Sequence, residues 1–266
     1  MTIKPFLKWA GGKRWLLDRP EFRVPEYTGT YIEPFLGGGA VYFAHRPRRA
    51  IISDANPRLI ETYCAIRADW RAVLDELSLH QARHNSDYYY DIRAEKYSSQ
   101  ASRAAQFLYL NRTCWNGLYR ENLKGEFNVP IGTKSSVIFE DDDFGAVSAA
   151  LQGAEILNSD FEEVIARAAE GDLIFVDPPY TVAHNLNGFI KYNQKIFSWD
   201  DQVRLCDSLI RAKGRGARIM ITNASHSSIR DLYRDFGEPI EIERRSVISG
   251  TPKNRVQTSE LLYVAW

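Results

Sequence analysis

Leu173-Ile174-Phe175-Val176-Asp177-Pro178-Pro179-Tyr180 is the stretch whose reading decides the fold. Its first four residues form an apolar run set off by Gly171-Asp172. Such a run describes a strand buried on both faces, as in a parallel sheet covered by helices. The next four residues then stand at the carboxyl end of that strand, where open α/β sheets place their ligands. A carboxylate, two rigid prolines and an aromatic ring on such a rim suit a flat base that carries an amino group.

Upstream, Tyr31-Ile32-Glu33 reads as a short strand, Gly37-Gly38-Gly39 as a turn, and Ala40-Val41-Tyr42-Phe43 as the start of a helix. Ala50-Ile51-Ile52-Ser53 is a second strand ending at Asp54, which completes a βαβ pattern. Downstream, further strands are expected at residues 155–157, 217–222, 240–247 and 261–264, with helices at 161–169 and 202–212. The last two strands are joined by a loop too short for a helical crossover, so they should form an antiparallel hairpin at the sheet edge.

Between these parts the pattern changes. Leu59, Ile60, Tyr63, Ile66, Trp70, Val73, Leu74 and Leu77 recur at helical spacing, as do Ala104, Phe107, Leu108 and Leu110. A Gly-punctuated piece from Asn116-Gly117 to Ile131-Gly132 reads as a hairpin or an ordered loop. The expected organisation is a catalytic domain from residues 1–56 and 150–266. A mainly helical domain, residues 57–149 with a hairpin near 113–134, is inserted into it.

The bulk composition excludes several classes. Of 266 residues, 44% are hydrophobic and 26% charged, as in ordinary globular proteins. No apolar run is long enough to span a membrane, and Met1-Thr2-Ile3-Lys4-Pro5 lacks the apolar core of a signal peptide. Cys64, Cys114 and Cys206 are too scattered for a disulfide framework or a zinc cluster, which suggests a reducing cytoplasm. Five histidines without paired ligand spacing give no reason to expect a metal. Lys and Arg total 34 and Asp and Glu total 34, which argues against a nonspecific polycation but leaves local basic patches open.

Two constellations carry chemistry. Glycines after a first strand permit a tight turn and close backbone approach to a ligand. An acidic residue about twenty positions on, here Asp54, commonly accepts hydrogen bonds from ribose hydroxyls. The third glycine of the dinucleotide fingerprint is missing, counted from either Gly37 or Gly39, which disfavours a pyrophosphate ligand. The second constellation is Asp177-Pro178-Pro179-Tyr180. The amino groups of bases are poor nucleophiles because the lone pair is delocalised into the ring. Acceptors aimed at both N–H bonds, the Asp177 carboxylate and the Pro178 carbonyl, would favour a pyramidal nitrogen able to attack a methyl group. Pro179 stiffens the backbone and restricts Pro178, and Tyr180 offers a stacking face. These contributions are geometric and electrostatic. The bland alternative is a proline-rich turn.

Four blocks in this order bear a resemblance to a known family. They are Phe6-Leu7-Lys8-Trp9-Ala10-Gly11-Gly12-Lys13, Glu33-Pro34-Phe35-Leu36-Gly37-Gly38-Gly39, residues 107–132, and Asp177 to Tyr180. The chain resembles Dam-type N6-adenine DNA methyltransferases of the D12 class (alpha group). The resemblance implies a Rossmann-like α/β sheet that binds S-adenosylmethionine, with the antiparallel C-terminal hairpin and an inserted helical target-recognition domain. It implies methylation of a flipped adenine at N6 in duplex DNA, in GATC or a related short site. Cofactor contacts fall on Trp9, Ala10, Gly11, Lys13, Phe35, Gly37, Gly39, Asp54, Asp160, Phe161 and Asp177. Without the resemblance, Trp9 also reads as a core aromatic, Lys13 as a helix-start charge, and Asp160 as a helix N-cap.

For DNA, the resemblance makes Arg120 a guanine reader, Trp115 an inserted ring, and Asn116 a partner for the orphaned base. Leu118 and Pro130 become apolar base contacts, and Lys8 a contact to the first base of the site. Arg112, Asn122 and Lys134 join this set as cations and amides among aromatics. Thr133-Lys134 follows Gly132 where GATC-methylating relatives carry an Arg-Tyr pair, so the first base is left open. Residues 185–197 suit a flap over the flipped base or an ordinary connection. Arg244-Arg245 and Lys253-Asn254-Arg255 are small basic clusters. Double-stranded DNA is the expected partner, with no membrane and no obligate protein partner. Methylation of RNA or of a protein glutamine, a non-catalytic DNA-binding relative and, more distantly, a nicotinamide oxidoreductase are the rival readings.

Overall fold

In the computed structural model residues 3–122, 125–183, 197–245 and 257–266 are described. Seven strands form one sheet: β1 (Tyr31–Glu33), β2 (Ala50–Asp54), β3 (Ala154–Asn158), β4 (Leu173–Val176), β5 (Arg218–Ala224), β6 (Ile240–Arg245) and β7 (Gln257–Ala265). Their order is β3-β2-β1-β4-β5-β7-β6. The pairs β1–β2, β1–β4 and β4–β5 are parallel, whereas β5–β7 and β6–β7 are antiparallel. The expected C-terminal hairpin is therefore present at the sheet edge, with β7 as its inner limb. The loop of that hairpin, with Lys253-Asn254-Arg255, lies outside the described residues, and so do the side chains of Arg244 and Arg245.

The α-helices among the described residues are α1 (Ala40–His45), α2 (Pro57–Arg83), α3 (Ser86–Ala94), α4 (Gln100–Thr113), α5 (Phe144–Leu151), α6 (Phe161–Ala166), α7 (Trp199–Gly214) and α8 (Ser227–Leu232). Local chemistry sets their ends. The Asn56 side chain accepts from Leu59 N and Pro57 follows at the first helical position, which starts α2. The helix breaks its regular geometry at Asp69 (φ −152°, ψ 81°), where the carboxylate caps the second half by accepting from Ala72 N at 3.1 Å. A reciprocal Ser198/Asp201 capping box starts α7.

The chain forms two compact units. One comprises Met1–Leu17, Leu36–Arg48 and Asp54–Asn158, and the other Asp18–Phe35, Arg49–Ser53 and Ser159–Trp266. In the first, α2 and α4 bury Leu59, Ile60, Tyr63, Ile66, Val73, Leu77, Ala104, Phe107 and Leu108. In the second, β4 is buried at all four positions, as its apolar run requires. The switch in strand order falls between β1 and β4, whose register pairs Tyr31 with Leu173 and Ile32 with Ile174. Their carboxyl ends therefore lie side by side and lead into Glu33-Pro34-Phe35 and Asp177-Pro178-Pro179-Tyr180, at the place where such sheets bind ligands.

Candidate active site

In the unit that holds β4, the residues after the strand are gripped by its neighbours. The parallel register pairs Val176 with Ile221, which brings the next residues, Asp177 and Thr222, alongside. Thr222 Oγ1 donates to Asp177 Oδ1 at 2.8 Å and lies 3.4 Å from the Val176 carbonyl. Tyr180 donates its phenol O–H to Glu260 Oε2 at 2.7 Å. Burial, reinforced by the nearby Asp177 and Glu260 carboxylates, pushes the Tyr180 hydroxyl well above the usual tyrosine range, so it stays protonated. Thr181 Oγ1 donates to the Phe197 carbonyl at 2.7 Å, which ties the end of the motif to the residue before α7. Residues 185–196 of the expected flap lie outside the described residues, and Phe197 is buried.

Phe35, after β1, stacks on Phe161 with centroids 5.4 Å apart and planes at 25°. Phe197 packs edgewise on Phe35 at 5.6 Å. The Arg204 guanidinium from α7 lies 4.5 Å over the Phe161 ring and pairs with Asp160 at 3.0 Å. Asp160 caps α6 by accepting from Glu162 N at 2.9 Å. The capping role weighed for Asp160 in the sequence is thus realised, and Arg204 holds the carboxylate from the side.

In the other unit, the glycine turn and Asp54 are parts of one device. Asp54 Oδ2 accepts from Gly37 N and Oδ1 from Asn56 N, both at 2.9 Å. Burial pushes the Asp54 carboxyl upward while the two backbone N–H groups pull it back down. Gly37 has φ 48°, and a Cβ there would stand 2.6 Å from Trp9 Cδ1. The position is therefore closed to other residues on both counts. Trp9 also stacks on Tyr119 at 5.6 Å. Gly39 caps α1 at φ 67°. The Lys13 Nζ donates to the Gly11 carbonyl at 2.9 Å, while Ala10 and Gly11 are exposed.

The segment 113–134 is a distorted antiparallel hairpin. Its limbs are tied by Trp115 N to Pro130 O at 2.9 Å and Asn128 N to Arg120 O at 3.1 Å. Residues 123–124 at its tip lie outside the described residues. Asn116 (φ 57°) and Gly117 (φ 64°) adopt left-handed geometry in succession, which turns the chain sharply beside Trp115. Trp115 is 53% exposed, although a ring of that size normally buries itself. Leu118, Arg120, Asn122, Pro130 and Lys134 are exposed too. Arg120 Nε donates to Asn128 Oδ1 at 2.9 Å, and Asn122 Nδ2 to Glu126 Oε2 at 2.9 Å. Lys134 Nζ lies 6.0 Å from the Phe139 ring centroid.

Lys8 and Asn116 are brought together, since Lys8 Nζ donates to the Asn116 carbonyl. Behind them Asn111, fully buried, clamps Lys8 by accepting from its N–H at 2.9 Å and donating to its carbonyl at 2.8 Å.

Arg112 does not belong with the expected DNA contacts. Its guanidinium is buried, bidentate to Asp142 at 2.5 and 2.8 Å, and donates to the carbonyls of Val137 (2.7 Å) and Phe6 (2.5 Å). Phe139 and Phe144 stack around it. Trp115, Leu118 and Arg120 further along are exposed, but Arg112 lies in the last turn of α4 and faces inward.

Thr222, Glu260, Asn111 and Arg204 were missed as site residues. Thr222 and Glu260 sit in strands more than forty residues from the motif they support, and nothing local marks them. Among the described residues no group of His, Cys, Asp and Glu could hold a metal ion, and no helix is long and apolar enough to cross a membrane.

Comparison with known proteins matches residues 9–247 to the family model "D12 class N6 adenine-specific DNA methyltransferase". The type II methyltransferase M1.LlaDCHI of Lactococcus lactis subsp. cremoris is 34% identical, over 96% of this chain and 94% of that protein. The type II methyltransferase M.MjaIII of Methanocaldococcus jannaschii is 35% identical, over 98% and 99%. A DNA adenine methylase of Vibrio cholerae is 33% identical, over 97% and 95%.

Proposed function

The chain belongs to the D12 class of N6 adenine-specific DNA methyltransferases, and we propose that it moves the methyl group of S-adenosylmethionine to N6 of an adenine extruded from duplex DNA. The observation that carries this reading is the braced motif at the carboxyl end of β4, where Asp177 is anchored by Thr222 and Tyr180 by Glu260.

The residues present fit the donor. Each Asp54 oxygen accepts one backbone bond and keeps a second lone-pair direction, the chemistry that ribose hydroxyls require. The Gly11 backbone is open, with nothing within 4 Å of where a Cβ would stand. Trp9, Ala10, Gly11, Lys13, Phe35, Gly37, Gly39, Asp54, Asp160, Phe161 and Asp177 would hold the donor. When bound, it supplies an electrophilic methyl group on a sulfonium centre.

The protein's part is positioning and charge placement. Asp177 and the Pro178 carbonyl accept the two N6–H bonds, which turns the nitrogen lone pair away from the ring. Pro179 keeps that carbonyl in place, and Tyr180 presents its face to the base. As the methyl–nitrogen bond forms and the methyl–sulfur bond breaks, which leaves the donor a neutral thioether, the positive charge arising on N6 would be stabilised by the Asp177 carboxylate until the surplus N6 proton passes to solvent. Lys8, Trp115, Asn116, Leu118, Arg120, Asn122, Pro130 and Lys134 select and hold the site, whether GATC or a related short sequence. In this reading residues 1–56 with 150–266 carry catalysis and 57–149 carry target recognition, a division by role that differs from the two compact units of the fold.

The test is methylation of random-sequence duplex DNA with methyl-labelled donor, with base-by-base mapping of modified adenines. One short motif should emerge, with the label at N6. Asp177→Ala should abolish transfer while DNA binding and fold persist. Near-normal turnover in that variant would sink the mechanism.

A further inference from the structure

A buried carboxylate in the middle of a sheet calls for a reason. Glu260 lies on β7 opposite Ala224 of β5, is 6% exposed, and stands where an apolar residue would cost nothing to bury. Its Oε2 takes the Tyr180 hydroxyl bond. Thr222, also buried, sits two positions earlier on β5 and turns its hydroxyl to Asp177.

We propose that Thr222 and Glu260 are positioning residues for methyl transfer, Thr222 setting the carboxylate plane of Asp177 and Glu260 fixing the outer end of the Tyr180 ring. The inference rests on the reading that Asp177 and Tyr180 handle the adenine.

The proton inventory gives the arrangement a direction. A carboxylate only accepts, so the single Thr222 proton goes to Asp177 Oδ1 at 2.8 Å and not to the Val176 carbonyl at 3.4 Å. Anchoring one oxygen fixes the direction of the other, since the terminal torsion of an aspartate is otherwise broad. Thr222 is itself β-branched and held in the strand, so it is a stiff anchor. Tyr180 donates its O–H to Glu260 Oε2, an oxygen that accepts. A bond at the far end of the phenol fixes where the tip of the ring lies, and because a phenol O–H prefers the plane of its ring, the direction of that bond also biases the face offered to a base. Both supports come from strands, which place a side chain more precisely than a loop does.

The test compares single-turnover methyl-transfer rates at saturating DNA with DNA dissociation constants. Thr222→Val should lower the rate roughly tenfold or more, with DNA affinity within about twofold, and Thr222→Ser should restore most of it. Glu260→Leu should act likewise, and Glu260→Gln, which keeps an acceptor, should recover. In a Tyr180→Phe background Glu260→Leu should have no further effect, because the group it positions is gone. If Glu260→Leu does not fold, Tyr180→Phe alone, which deletes only the hydroxyl, carries that arm. Unchanged rates in Thr222→Val and Tyr180→Phe, alongside an inactive Asp177→Ala, would overturn the inference and leave the reading of the site intact. An active Asp177→Ala would overturn the reading itself.

Discussion

Replacing Arg112 by alanine separates a structural arginine from a DNA contact. The guanidinium makes four hydrogen bonds, two of them to Asp142. The Arg112 and Asp142 side chains are 2% and 9% exposed. Its loss would strand a buried carboxylate that keeps only the Phe139 N–H at 2.8 Å. It would also orphan the Phe6 and Val137 carbonyls. Breaking one side of a buried pair costs about 3–5 kcal/mol. At roughly 2.1 cal/mol/K of unfolding entropy per residue, that lowers the melting temperature by about 5–9 °C for a chain of 266 residues. Thermal and urea unfolding, followed by circular dichroism, measure both quantities. The double variant Arg112→Met/Asp142→Leu should recover part of the loss, since no charge is left buried. An Arg112→Ala protein with unaltered stability, weaker DNA binding and a shallower salt dependence would refute the reasoning and return Arg112 to the DNA surface.

Arg120→Ala should relax discrimination at one base pair of the site by about 1–3 kcal/mol, read from methylation of single-substituted duplexes. A uniform loss of affinity across all sequences would make Arg120 a phosphate contact. Gly37→Ala forces a left-handed residue and a Cβ 2.6 Å from Trp9 Cδ1. It should weaken donor binding and lower stability by about 1–3 kcal/mol; an unchanged dissociation constant and melting curve would contradict this. His80 is stacked on Tyr109, bonded to the Tyr88 hydroxyl at 2.8 Å, and faces Tyr97 and Arg83. Burial, then the Arg83 charge, push its imidazole down from 6.5 to about 4. The unfolded chain thus takes the proton first. Stability is fully present above about pH 6.5 and is lost as pH falls toward 4, by at most about 3 kcal/mol. His80→Phe should flatten that part of the pH–stability curve, and an identical slope in both proteins would count against it.

The strands were legible because burial on both faces leaves a mark on consecutive residues. Leu173 to Val176 and Ile51-Ile52 could not be mistaken for solvent-facing segments. The break of α2 at Asp69 was less visible, since apolar spacing continues across it. The glycine turn was legible as a turn, but not the reason for it. That Asp54 reaches back to the Gly37 N–H, and that Trp9 fills the space a Cβ would need, are facts of tertiary contact.

Sequence by itself determined the α/β class, the C-terminal hairpin, and the motif Asp177-Pro178-Pro179-Tyr180 with its place at a strand end. Each rests on residues adjacent or periodic along the chain, where local sterics and burial act. Tertiary structure alone decided that Arg112 turns inward to Asp142 while Trp115 and Arg120 stay exposed. It alone decided that Thr222 and Glu260 stand behind the motif. Side-chain direction at a helix end depends on what the helix packs against. Strand register brings together residues forty to eighty positions apart, and a linear pattern holds no record of either.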